Sequence, residues 1–116
     1  MLSPKPNTND IATARSQLNV KPETLALLSM GHLGVIKGHQ DTICALAELK
    51  QQFPSAHLYI AGDGSNTEKA VLQQLVSEYQ LNVDVTFLGQ VNNPSVWFNA
   101  CDIFVQPSHE EAFGLV

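Results

Sequence analysis

Lys37 stands in the run Gly31-His32-Leu33-Gly34-Val35-Ile36-Lys37-Gly38-His39, with three glycines and two histidines around it. That set suits a phosphate or a diphosphate. Glycine lets backbone come close to a ligand. A helix start offers free N–H groups and the positive end of its dipole, and the ammonium adds a full charge. There is no Gly-Lys-Ser/Thr, so this is not a Walker loop. On this loop alone, a plain strand-to-helix turn with a solvated lysine is the alternative. A second set closes the sequence: Pro107-Ser108-His109-Glu110-Glu111-Ala112-Phe113-Gly114-Leu115-Val116. A glutamate just ahead of a helix start suits sugar hydroxyls, since a carboxylate accepts two of them well. Its alternative is a glutamate that only complements the helix dipole. His109, Glu110 and Glu111 are consecutive, and consecutive side chains seldom converge on one ion, so no metal is expected. Ser108 lacks the G-x-S-x-G setting of a hydrolase nucleophile.

Two further loops carry weaker signals. Gly62-Asp63-Gly64 imitates part of a dinucleotide fingerprint, but the third glycine is absent and the loop follows the second strand. It reads as a plain turn, with Asn66 or Thr67 capping the next helix. Gly89-Gln90-Val91 is a tight exit from the third strand whose backbone could press on a flat base.

The elements that must hold these loops are legible from apolar patterning. Continuous apolar runs at about 24–30, 56–61, 84–88 and 102–106 suit strands buried on both faces. Ile43, Leu46, Ala47 and Phe53 share one helical face, and Leu72, Leu75, Val76 and Tyr79 repeat at helical spacing over about 66–80. Asn9 or Asp10 caps a short first helix through about Leu18, and Asn93-Pro94 opens a short helix over the run that follows. Helices alternating with four strands imply α/β: a Rossmann-like doubly wound parallel sheet of about four strands. In that winding the first and fourth strands are neighbours, and ligands bind beyond their carboxyl ends. Both candidate loops then lie at one crevice.

Bulk properties narrow the class. The 116 residues suit one domain, with 1–9 as a linker or chain edge and 10–116 as the domain. A net charge of −5 with six Lys and Arg argues against a nucleic-acid partner. Cys44 and Cys101 have no metal spacing and read as buried free thiols of a reducing compartment. No signal peptide or membrane-spanning run is visible, so a soluble, cytoplasmic chain is expected.

The ordered set of strand-G-x-L-x3-K-G, strand-G-D-G, F-L-G and D-I-F-V-x-P-S-x-x-E-x-F-G resembles the C-terminal, donor-binding domain of family 4 retaining glycosyltransferases with the GT-B fold. The resemblance covers about residues 11–116. It implies transfer of a sugar from a nucleotide-diphosphate sugar to an acceptor hydroxyl with retention, in glycan or polysaccharide biosynthesis, without a cofactor. It assigns catalytic roles to Lys37 and Glu111. The diphosphate would meet Gly31, His32 and Lys37, with His32 where the family carries an arginine. The nucleobase would meet the backbone of Gly89, Gln90 and Val91, and the donor sugar Glu111, Phe113, Gly114 and Leu115. The family's Glu-x7-Glu signature would begin at Glu111 and run past Val116. The chain is therefore expected to be part of a longer protein, inactive alone, with its N-terminal acceptor domain missing and membrane association of the parent left open. A non-catalytic nucleotide- or sugar-binding module, or a nucleotide-sugar epimerase of related fold, are the alternatives.

Overall fold

A computed structural model describes residues 8–105. The elements are α1 (Thr8–Gln17), β1 (Leu25–Met30), α2 (Ile36–Gln52), β2 (Ala56–Ala61), α3 (Asn66–Glu78), β3 (Val85–Gly89), α4 (Pro94–Ala100) and β4 (Ile103–Val105). All strand pairs are parallel, in the order β3-β2-β1-β4. The winding thus runs outward from β1 through β2 to β3 and then returns to the other side of β1. The expected α/β Rossmann-like sheet is present, with its switch point between β1 and β4.

Strand alternation divides the core in two. Leu27, Leu58 and Ile60 face α2 and α3, where they pack with Ile43, Leu46, Leu72 and Val76. Leu28 and Ala61 face the other way, onto Trp97 of α4, with Leu18, Met30 and Tyr59 alongside. β1 is buried along most of its length, as expected of a central parallel strand.

Five sequence expectations need correction. α1 already begins at Thr8, so neither Asn9 nor Asp10 is its cap. Phe53 does not join the Ile43–Leu46 face, because α2 ends at Gln52 with Phe53 as its C-cap, which leaves the residue 47% exposed. The cap of α3 is neither Asn66 nor Thr67 but Ser65. β4 is not buried on both faces. It is an edge strand among the described residues, with Ile103 and Phe104 exposed and Phe104 leaning on Phe98 at 5.0 Å. The thiols are free, as expected, but only half-buried.

The end of the sheet away from the candidate loops is tied by Arg15. Its Nη1 donates to the Ala100 carbonyl at 2.8 Å, and its Nη2 donates to the carbonyls of Lys21 at 2.8 Å and Thr24 at 2.6 Å. Asp102 completes the clamp, pairing with Nη1 at 3.4 Å and accepting the Ala26 N–H at 2.8 Å. One cation thereby joins α1, the approach to β1 and the approach to β4. Arg15→Met keeps the stem and removes the donors, so it should cost about 2–4 kcal/mol of stability, read as a lower urea midpoint. A loss below about 0.5 kcal/mol, typical of an exposed pair, would mean that the clamp holds nothing.

Candidate functional site

The carboxyl ends of β1, β2 and β3 release three loops that are sewn together by backbone. Gly31 N–H donates to the Ala61 carbonyl at 2.9 Å, Leu33 N–H to Asp63 at 2.8 Å, and Gly62 N–H to Gly89 at 2.8 Å. The glycines of Gly62-Asp63-Gly64 make this contact possible. A Cβ on Gly62 would stand 2.0 Å from the Gly31 carbonyl oxygen, and one on Gly64 would stand 2.5 Å from Leu33 Cβ. The motif is therefore a packing device between two loops rather than a dinucleotide cradle, and the expected turn at Asp63-Gly64 does not form.

The first loop folds onto itself before entering α2. Gly34 N–H donates to His32 Nδ1 at 2.9 Å, and Val35 N–H to the His32 carbonyl at 3.0 Å. With Gly31 and Leu33 also engaged, four of the loop's N–H groups point inward, so the glycine run itself has little to offer a ligand. The donors lie one step further on. Ile36, Lys37 and Gly38 form the first turn of α2, where no intrahelical acceptor exists. The N-cap is Val35, whose side chain cannot accept a hydrogen bond, and the first turn holds no acid. Lys37 is exposed on that same turn.

α3 starts at the same edge with the opposite character. Ser65 Oγ accepts the Glu68 N–H at 3.1 Å, and Glu68 Oε1 accepts the Ser65 N–H at 2.9 Å, a closed capping box. The box takes up the Glu68 N–H, and the carboxylate of Glu68 puts a negative charge at this helix start, close enough to Gly34 that a Cβ there would lie 2.7 Å from Oε2. With an acid in its first turn, the start of α3 is a poorer anion site than the start of α2, whose first turn has none.

His32 is exposed, and because its Nδ1 accepts from Gly34 its proton resides on Nε2, which leaves one outward donor. Gly89 has a left-handed φ of 71° that glycine adopts without penalty. Gly89 and Gln90 are exposed, while Val91 anchors the turn against the Leu28–Trp97 cluster. The structure thus brings Gly31, His32, Lys37, Gly89, Gln90 and Val91 to one edge. Glu111, Phe113, Gly114 and Leu115 lie outside the described residues. Among the described residues no group of three or more His, Cys, Asp or Glu side chains is placed to hold a metal, and no helix is long and apolar enough to cross a membrane. Burial pushes the Cys101 thiol up to about 11, which disfavours a nucleophilic thiolate.

Sequence reasoning gave no role to His39, which is fully buried behind the first loop. The signal was available: the period that turns Ile43 and Leu46 inward also turns position 39 inward. Burial holds His39 below the ordinary histidine value of 6.5, opposed by the backbone of His32 and Gly31. Burial lowers His57 likewise. Folded values below the unfolded one mean that the unfolded chain binds protons first. This contribution to stability is full above about pH 6.5 and is lost as pH falls. The urea midpoint should drop between about pH 7 and pH 5; a level or rising midpoint would contradict the burial of neutral imidazoles.

Comparison with known proteins adds a family to this geometry. The family model described as "Glycosyl transferases group 1" matches residues 10–116. A D-inositol 3-phosphate glycosyltransferase of Pseudarthrobacter chlorophenolicus is 37% identical over 107 residues, which is 89% of this chain and 26% of that protein. The crystal structure of WaaG, a glycosyltransferase involved in lipopolysaccharide biosynthesis, superposes with a TM-score of 0.75 at 22% identity, over 85% of this chain and 26% of that one. HepE from Anabaena, solved in complex with UDP-glucose, gives a TM-score of 0.71 at 27% identity, over 85% of this chain and 27% of that one. The chain spans about a quarter of the length of the proteins it matches.

Proposed function

Because the chain belongs to the group 1 glycosyl transferases, we propose that it supplies the donor-binding half of a retaining, family 4 type transferase that uses a nucleotide-diphosphate sugar. The observation that carries this reading is the first turn of α2, which holds no acid and carries the exposed Lys37, beside the switch point of the sheet. A nucleoside diphosphate is a good leaving group once its charge is met. The work asked of the protein is preorganised positive potential, not an acid or a metal. Lys37 and the N–H groups of Ile36, Lys37 and Gly38 provide it, with Gly31 and His32 lining the approach. His32 contributes one directed N–H, where an arginine would give a fixed fork and a permanent charge.

In this reading the backbone at Gly89, Gln90 and Val91 meets the nucleobase. Glu111 and the backbone of Phe113, Gly114 and Leu115 meet the donor sugar. HepE's complex with UDP-glucose supports a nucleotide sugar as the partner class. The acceptor is proposed to sit on a separate N-terminal domain, so this chain alone is expected to bind donor without turning it over. A cytoplasmic setting, with glycan or polysaccharide synthesis as its context, fits a nucleotide sugar as donor. The reading is tested by transfer from labelled nucleotide sugars in the two-domain enzyme, with the anomeric configuration of the product read by NMR. Retention is expected; an inverted product would overturn the family 4 assignment.

A further inference from the structure

His39 carries a polar group where an apolar one would fit. It lies in the row of α2 that also buries Ile43 and Leu46, and it is 0% exposed. Its Nε2 is 3.1 Å from the His32 carbonyl oxygen, which can only accept, so the ring proton is on Nε2. Nδ1 is then left as an acceptor, buried without a partner among the described residues. A leucine at this position would avoid the cost of a buried, unpaired polar atom.

What the imidazole holds explains the cost. The His32 carbonyl accepts Val35 N–H at 3.0 Å, the Val35 carbonyl accepts His39 N–H at 3.1 Å, and the His39 ring closes the cycle on His32. The turn leading into α2 is thereby locked to the helix one turn further on. We infer that His39 is a positioning residue for the donor's phosphates: it fixes the His32–Val35 turn against α2, so that Lys37 and the first-turn N–H groups converge on one point. This inference rests on the proposed donor site.

The test uses the 116-residue chain and three probes, UDP, GDP and ADP. His39→Leu should melt at or above the wild-type temperature, yet weaken the diphosphate that wild type binds about tenfold. His39→Gln, whose amide N–H occupies the place of Nε2–H, should restore the affinity, and the nucleoside of that same diphosphate should bind all three proteins equally. Histidine nitrogen shifts should report the proton on Nε2. Equal diphosphate affinity in wild type and His39→Leu overturns the inference and leaves the donor site standing. An unfolded His39→Leu, or a proton on Nδ1, also overturns it, since His39 is then structural or differently bonded. Wild type binding none of the three diphosphates overturns the donor-site reading and the inference together.

Discussion

Lys37→Ala should lower kcat/KM for the nucleotide sugar about a hundredfold in the two-domain transferase, in the range found when one preorganised charge-stabilising donor is lost. In the isolated chain the same change should raise the Kd of a nucleoside diphosphate about tenfold or more, since a charge-assisted contact of about 1.5–3 kcal/mol disappears. The fold should be unaffected. Lys37 is exposed on the first turn of α2, and no hydrogen bond of the core runs through it. Unchanged donor KM and turnover in Lys37→Ala would remove the residue from the site. Lys37→Arg keeps the charge but changes a point donor into a planar fork, and should recover part of the loss.

Gly62→Ala should be the most disruptive single methyl in the described chain. The added carbon would lie 2.0 Å from the Gly31 carbonyl oxygen and 2.7 Å from its carbon, both backbone, at a φ of 151° that L-residues rarely adopt. Neither loop can relieve the clash by a side-chain rotation, so the β1 and β2 loops must part. A loss of about 3 kcal/mol or more is expected, together with loss of nucleotide binding. Gly89→Ala provides the control. Its φ of 71° is also left-handed, but nothing lies within 4 Å of the new carbon, so the cost should be only about 1–2 kcal/mol. Equal costs at the two glycines, measured by urea titration, would show that the loops are not sewn together at Gly62.

The architecture was legible because parallel strands announce themselves. Leu25–Met30 and Ala56–Ala61 are short apolar runs flanked by breaking residues, and the alternation with helices leaves few ways to wind. What was misread followed from local ambiguity. Phe53 fits the helical period of Ile43 and Leu46, but period alone does not say where a helix stops. Ser65, Asn66 and Thr67 are all competent caps; only Ser65 has a glutamate three residues on, and that spacing decides. Gly62 and Gly64 looked like an incomplete ligand motif because sequence shows a missing side chain but not what fills its place. The partners turned out to be Gly31 and Leu33.

The site was legible in part. Lys37 and its helix start were evident from the Gly-rich approach. That the approach spends its own N–H groups on Ala61, Asp63 and His32 was not, because those bonds are set by the neighbouring strand and by one imidazole. Arg15 was invisible for a similar reason, since its partners Ala100 and Asp102 lie 85 and 87 positions away. The glutamate and glycine proposed for the donor sugar, Glu111 and Gly114, fall outside the described residues, and their assignment rests on the family motif.

The most direct test is a 15N–1H map of the chain titrated with UDP and, in parallel, GDP and ADP. One diphosphate should move the amides of Ile36, Lys37 and Gly38 most strongly, with a second set at Gly89, Gln90 and Val91, and leave the capped start of α3 at Asn66–Glu68 largely still. Shifts centred on α3, or no saturable shift at Ile36–Gly38 with any of the three, would contradict a donor site at the first turn of α2.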